Sequence, residues 1–209
     1  ALRIPVLQMT PAAADKYFIS DSFPGIRTIS DRISQQMAPY ASKLTVSVKS
    51  MTELKPEIIK TANVYGLLKG GDKSMEDEYI VIGAHHDHLG WGGKNSSSRQ
   101  PDTVAIHPGA DDNASGIAGV IQIAQNLVAR APGRSFVFAT FGAEEMGLLG
   151  SRQFVSSPPV PSGRFKAMIN LDMVGRLSPD RQLQIGGVGT SPVFRGLIDS
   201  VNTSFGFNI

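Results

Sequence analysis

The sequence predicts an α/β fold, a three-layer α/β/α sandwich around a mixed, largely parallel central sheet. Three observations carry that prediction. The runs "YIVIGAHHD", "RSFVFATFG" and "FKAMINLDMVG" open as near-continuous apolar stretches, which suits strands covered on both faces. The stretch "DDNASGIAGVIQIAQNLV" repeats apolar residues at helical spacing, with Ile117, Val120, Ile121, Ala124 and Val128 on one face. Strands and helices alternate along the chain, which favours a sheet with helices on its two faces.

Taken in order, "IPVLQMT" reads as a short apolar strand and "PAAADKYF" as a short helix with proline near its N-terminus. "FPGIRT" is a turn. "SDRISQQMAPYA" spaces Ile33, Met37 and Tyr40 as a helix does. "KLTVSVKSM" alternates and is rich in β-formers, so it reads as a half-buried strand. "ANVYGLLKG" is a strand closed by Gly70 and Gly71, "KSMEDE" a charged hairpin loop, and "YIVIGAHHD" the first central strand. From Leu89 to Pro108 the chain is rich in glycine and serine with little periodicity, and loops of that length are usually functional or mobile. After the long helix and "RSFVFATFG", the loop "EEMGLLGS" runs into a helix at "SRQFVSS", and "SSPPVPSG" is a surface loop. "FKAMINLDMVG" is the third buried strand and "LQIGGVG" the fourth. "SPVFRGLIDSVNTSF" is expected to be a helix capped by Ser191, with Pro192 at its first position.

The bulk composition excludes several classes of function. The 209 residues suffice for one ordinary domain with a real core. At 41% apolar and 18% charged, the chain is globular rather than disordered. A formal net charge of +2, without a dense Lys/Arg run, argues against nucleic acid as a partner. The lack of cysteine removes a disulfide framework, a thiolate metal site and a cysteine nucleophile together, and leaves the compartment open. No apolar run reaches the length of a membrane span, and none has the makeup of a signal peptide. Nothing in the sequence fixes an oligomeric state.

The polar residues sort by the strand they follow, because ligands in such sheets gather at the carboxyl ends of strands. His85, His86, Asp87 and His88 follow the first central strand, Glu144 and Glu145 the second, and Asp172 the third. Asp111 and Asp112 precede the long helix, inside "PGADDNASG". Four segments therefore deliver carboxylates or imidazoles to one edge of one sheet. Unpaired, they would repel one another and each carboxyl pKa would rise. A divalent cation removes that repulsion, and this donor set suits zinc, manganese or cobalt.

In that order, "GAHHDH", "PGADDNASG", "GAEEMGLLGS" and "NLDMVG" closely resemble the motifs of the co-catalytic zinc exopeptidases of metallopeptidase family M28, the aminopeptidase type. The resemblance runs from about Asn63 to Gly175. It implies two Zn²⁺ ions and a peptide substrate cleaved at its N-terminal bond. It also implies that His85 binds one metal, with Asp87 orienting its imidazole. Asp111 would bridge both metals, and the peptide bond that follows it would be cis. Asp112 and Asn113 would support the turn. Glu145 would bind the second metal, Asp172 would complete the first, and Glu144 would be the general base. The same resemblance implies export to the periplasm or cell surface.

One feature departs from the family. Its last ligand is a histidine far downstream of the Asp172 motif, and no histidine follows Asp172 here. The expectation is therefore a chain cut short at the C-terminus, holding one ion or none by itself and lacking full activity. "LRIPVLQMTPAAADKYF" looks like the tail of an inserted protease-associated domain. That gives residues 1–25 as this tail and 26–209 as the truncated catalytic domain. His86 and His88 are expected to pack or hydrogen-bond rather than ligate. His107 either substitutes for the absent imidazole or is an exposed loop residue, and Trp91 either lines a substrate pocket or covers the sheet edge. Asn95, Asn113 and Asn202 match the glycosylation sequon, a pattern frequent by chance. Two other functions compete with the exopeptidase. One is a non-catalytic binding or scaffold domain of the same fold, and the other is a single-zinc enzyme similar to glutaminyl cyclases.

Overall fold

The computed structural model describes residues 8–20, 23–43, 58–94 and 96–209, with the single positions 47, 49, 51, 53 and 55. It divides into two compact units, Ala1–Glu57 and Ile58–Ile209. The boundary expected at residue 25 falls inside the first unit. The strand expected at "IPVLQMT" and the one at "KLTVSVKSM" lie largely outside the described residues, as does Asn95.

In the first unit, α1 spans Pro11–Phe18 and α2 spans Ile26–Gln36. Thr10 caps α1, its hydroxyl accepting from the Ala13 amide at 3.2 Å, and Pro11 takes a first-turn position where no amide hydrogen is needed. Asp15 accepts from the Ile26 amide at 2.7 Å and so joins the two helices. The second helix starts earlier than its sequence spacing suggested. It ends at Met37, which is left-handed, so Tyr40 falls outside it. Pro39 explains the early stop, because the residue before a proline disfavours the helical conformation.

The second unit carries the sheet. Its strands are β1 (Val64–Leu68), β2 (Tyr79–His85), β3 (Ser135–Phe141) and β4 (Phe165–Asn170), in the order β1-β3-β2-β4. β2 runs parallel to both β3 and β4, and β1 is antiparallel to β3. The three parallel strands therefore end on one edge, at His85, Phe141 and Asn170. Helix α3 (Gly116–Arg130) covers one face, where Val120 packs with Ile82, Ala84 and Phe136. Helix α4 (Leu149–Ser156) covers the other, where Phe154 packs with Val81, Val137, Ala139 and Phe141. The result is the expected three layers, α/β/α.

Three local expectations change. In α3 the buried stripe is Gly116 and Val120, with Ile117, Ile123 and Leu127 packed against the core, whereas Ile121 and Val128 are exposed. Two adjacent stripes of this helix are apolar, and the sheet uses one of them. "LQIGGVG" forms no strand; a short 3₁₀ turn, Val188–Thr190, lies at its end, and Gln182 makes an isolated bridge to Asn208. The last helix, α5, spans Phe194–Asn202, so Ser191 and Pro192 precede it and no side chain caps it. Among the described residues, no helix is long and apolar enough to cross a membrane.

Candidate metal centre

His85 is the last residue of β2 and is almost fully buried, at 4% exposure. Its Nδ1 lies 3.1 Å from the backbone oxygen of Asp87. A carbonyl can only accept, so this contact places a proton on Nδ1 and turns Nε2 to the sheet edge. There Nε2 meets Asp112 Oδ1 at 3.2 Å and Asp172 Oδ1 at 3.5 Å. A lone pair facing two carboxylate oxygens is repulsive unless a proton or a cation lies among them.

A second group adjoins the first. His88 Nδ1 lies 2.8 Å from Glu145 Oε1 and 3.8 Å from Asp112 Oδ1. Both His88 Nδ1 and Glu145 Oε1 are buried, yet neither makes a properly directed hydrogen bond. Two buried polar atoms aimed at a shared space and left unsatisfied are costly, and a cation would satisfy both. The donor sets His85–Asp112–Asp172 and His88–Asp112–Glu145 each converge tightly enough for one ion, and Asp112 belongs to both. Oxygen and nitrogen donors of this kind fit zinc.

The structure thus gives the shared position to Asp112, one residue after the Asp111 that the resemblance implied. The cis peptide bond likewise lies between Asp112 and Asn113. Asp111 faces the other way. Its Oδ2 receives Arg176 Nε at 2.6 Å and its Oδ1 receives the Gly175 amide at 2.8 Å. The Arg176 hydrogen bond is the main reason its carboxyl stays below the ordinary 3.8. The cause of the switch is backbone geometry: Asp112 sits at φ −105°, ψ 91° in a kink ahead of α3, so adjacent side chains diverge. Asn113 is buried in this kink. Its Oδ1 accepts from the Gly116 amide at 3.0 Å and its Nδ2 donates to the Leu171 oxygen at 2.9 Å.

Asp87, expected to orient the His85 imidazole, touches that ring through its backbone oxygen. Its carboxylate is 3.9 Å from His85 Nδ1. Instead, its two oxygens accept from the backbone amides of Glu144, at 2.9 Å, and Glu145, at 3.3 Å. This side chain therefore ties the β2 exit to the β3 exit, beside the backbone bond from the His86 amide to the Phe141 oxygen at 2.9 Å. Glu144 lines a cavity of about 260 Å³ together with His85, Asp172, Phe141, Leu148 and Met168. Burial pushes its carboxyl above the ordinary 4.5; His85 opposes that shift, while Glu145, Asp172 and Asp87 add to it. Glu145, the next residue, faces His88 instead.

His107 stands apart from both donor sets, its Nε2 3.0 Å from the Ser98 hydroxyl and its ring edge-on to His88. His86 is exposed and contacts the Thr140 hydroxyl at 3.1 Å. Trp91 is exposed and bridges to Ile106 within the long loop. The fold brings to this edge Asp112, expected to support the turn, and His88, expected to pack or hydrogen-bond, together with Arg176, which the sequence did not single out. The available signal was Asn113: as the helix-capping residue it fixes where the kink falls, and hence which aspartate turns inward.

Residues 63–208 match the family described as Peptidase family M28. A probable zinc metalloprotease of Pyrenophora teres is 34% identical over 117 residues, 56% of this chain and 23% of that protein. Another, from Pyricularia oryzae, is 30% identical over 173 residues, 78% of this chain and 32% of that protein. The solved structure of a zinc aminopeptidase from Bacillus subtilis superposes with a TM-score of 0.51 at 26% identity, covering 70% of this chain and 33% of that one. The chain spans about a quarter to a third of the length of these curated relatives.

Proposed function

Because the chain belongs to peptidase family M28, we propose that it carries the metal-binding core of a zinc-dependent exopeptidase that hydrolyses N-terminal bonds of peptides. The observation that supports this reading best is the meeting of His85 Nε2 with Asp112 and Asp172 at 3.2 and 3.5 Å. His85, Asp112 and Asp172 would hold one zinc ion, and Asp112, Glu145 and His88 would hold a second. When bound, such a pair lowers the pKa of an attacking water and stabilises charge that develops on the scissile carbonyl.

The remaining work falls to the protein's own groups. Glu144 lines the cavity beside His85 and Asp172 with a raised pKa, which brings a carboxylate toward the range useful for proton transfer. It takes the proton of the attacking water and later delivers it to the leaving amine. Asp87 fixes the backbone of Glu144 and Glu145, so the base and its metal-binding neighbour keep their spacing. Phe141, Leu148 and Met168 supply an apolar wall to the cavity.

The test is metal analysis of the full-length protein with turnover of an aminoacyl p-nitroanilide. Two zinc ions per chain, with hydrolysis lost to a chelator and restored by zinc, is the expected result. One zinc with cyclisation of N-terminal glutamine would overturn the hydrolytic reading. No metal and no turnover would leave a binding domain of the same fold.

A further inference from the structure

Both aspartates of the His85 donor set, Asp112 and Asp172, lie on irregular segments outside the sheet. Something other than a strand ladder must keep the two segments in register. Side chains from residues 111–115 do so, by bonding to the backbone and side chains of residues 171–176. Asn113 Nδ2 donates to the Leu171 oxygen at 2.9 Å, and Asn113 Oδ1 accepts from the Met173 amide at 3.3 Å. Ser115 Oγ donates to the Asp111 oxygen at 2.6 Å and accepts from the Val174 amide at 3.0 Å. Asp111 closes the far end, on the Gly175 amide and on Arg176.

We propose that Asp111 and Arg176 form a latch that positions Asp112 and Asp172 for cation binding, Asp111 being a positioning residue and not a ligand. The inference rests on the metal site proposed above. Asp111 and Asp112 are adjacent but face opposite ways, so a pull on the Asp111 carboxylate turns the peptide unit that aims Asp112. Arg176 comes four residues after Asp172, so the same ion pair restrains both aspartate-bearing segments. The Arg176 side chain is 75% exposed. Ion pairs with so open a partner contribute little to global stability. The effect is therefore expected in the site's geometry rather than in the fold.

The experiment measures zinc affinity of the full-length protein by chelator competition, with the cobalt(II) visible spectrum and the melting temperature of the metal-free protein alongside. Asp111→Asn and Arg176→Ala should each weaken zinc binding by about 10- to 100-fold, the range for partners that orient ligands. The double variant should lose no more than the worse single one, and Arg176→Lys should recover part of the loss. The cobalt spectrum at saturation and the metal-free melting temperature should stay as in the wild type. Unchanged zinc affinity would overturn the latch. So would a changed cobalt spectrum in Asp111→Asn, which would make Asp111 a ligand, or additive losses in the double variant. A fall in melting temperature that tracks the fall in affinity would reduce the pair to a general structural contact. His85→Ala distinguishes failure of the latch from failure of the metal site: if it binds zinc like the wild type, the metal site itself is wrong.

Discussion

His85 Nε2 lies 3.2 Å from Asp112 Oδ1, with the other ring nitrogen already committed to the Asp87 carbonyl. A proton and a divalent cation therefore compete for the same nitrogen. Zinc retention should fall as the solution is acidified, with protons taken up as metal leaves, measurable by calorimetry in buffers of different ionisation enthalpy. His85→Ala should weaken zinc binding by more than about 100-fold, since loss of an orienting partner alone costs 10- to 100-fold. Near-native zinc affinity in that variant would remove His85 from the site.

Glu144 is expected to carry proton transfer without holding metal. Glu144→Ala in the full-length protein should keep its zinc and lose about 10²- to 10⁴-fold in kcat, the usual contribution of a general base. Elemental analysis alongside turnover of an aminoacyl anilide checks both halves. Wild-type turnover would take the role from Glu144, and loss of zinc would make it a ligand.

Asp87 couples two strand exits by accepting the Glu144 and Glu145 amides. An asparagine at this position presents one acceptor and one donor, so one amide faces a donor. Asp87→Asn should lower kcat with little change in KM, and destabilise the protein by about 1–3 kcal/mol in urea unfolding, as expected for hydrogen bonds to a charged, partly buried acceptor. Wild-type kinetics and stability together would mean that the contact does nothing.

At the opposite edge of the sheet, Glu78 joins three strands' beginnings. Arg134 Nε is 2.7 Å from one carboxylate oxygen and Lys166 Nζ 3.4 Å from the other. The Arg134 hydrogen bond is the main reason the Glu78 carboxyl lies below the ordinary 4.5, with Lys166 adding to it. A depressed folded-state pKa gives stability that is present above the unfolded value and lost as pH falls through the folded one. The difference in stability between wild type and Glu78→Gln should therefore be constant near neutrality, shrink as pH drops below 4.5, and vanish in stronger acid. Thermal melts at a series of pH values test this, and a difference that grows on acidification would contradict it.

Much of the architecture was readable from the chain. Val81, Val137 and their neighbours sit in uninterrupted apolar runs because both faces of the sheet are covered there, and those runs became β2 and β3. The run expected to be a third buried strand became β4, an edge strand whose residues are half-buried or exposed, because a strand at the sheet edge has a neighbour on one side alone. "LQIGGVG" misled for the same reason: a β-like run is a strand only if another strand offers its amides and carbonyls, and the single bridge from Gln182 to Asn208 is no ladder. In α3 the sequence offered two apolar stripes, and contact with Ile82 and Phe136 selected the one through Val120.

At the site, the sequence by itself determined the chemistry: which residue types reach the carboxyl ends of the parallel strands, and in what order. It could not decide between Asp111 and Asp112, because two identical neighbours differ only in the direction their backbone gives them. That direction comes from the kink beside Asn113 and from Arg176, which binds Asp111 from 65 positions away in the chain. Likewise His88 stands three residues past a strand end with no sequence mark of its partner, and only the β3 exit, arriving across the sheet, sets Glu145 against it. Local pattern encodes burial and strand ends; the aim of a side chain in an irregular segment is set by groups that meet only once the chain has folded.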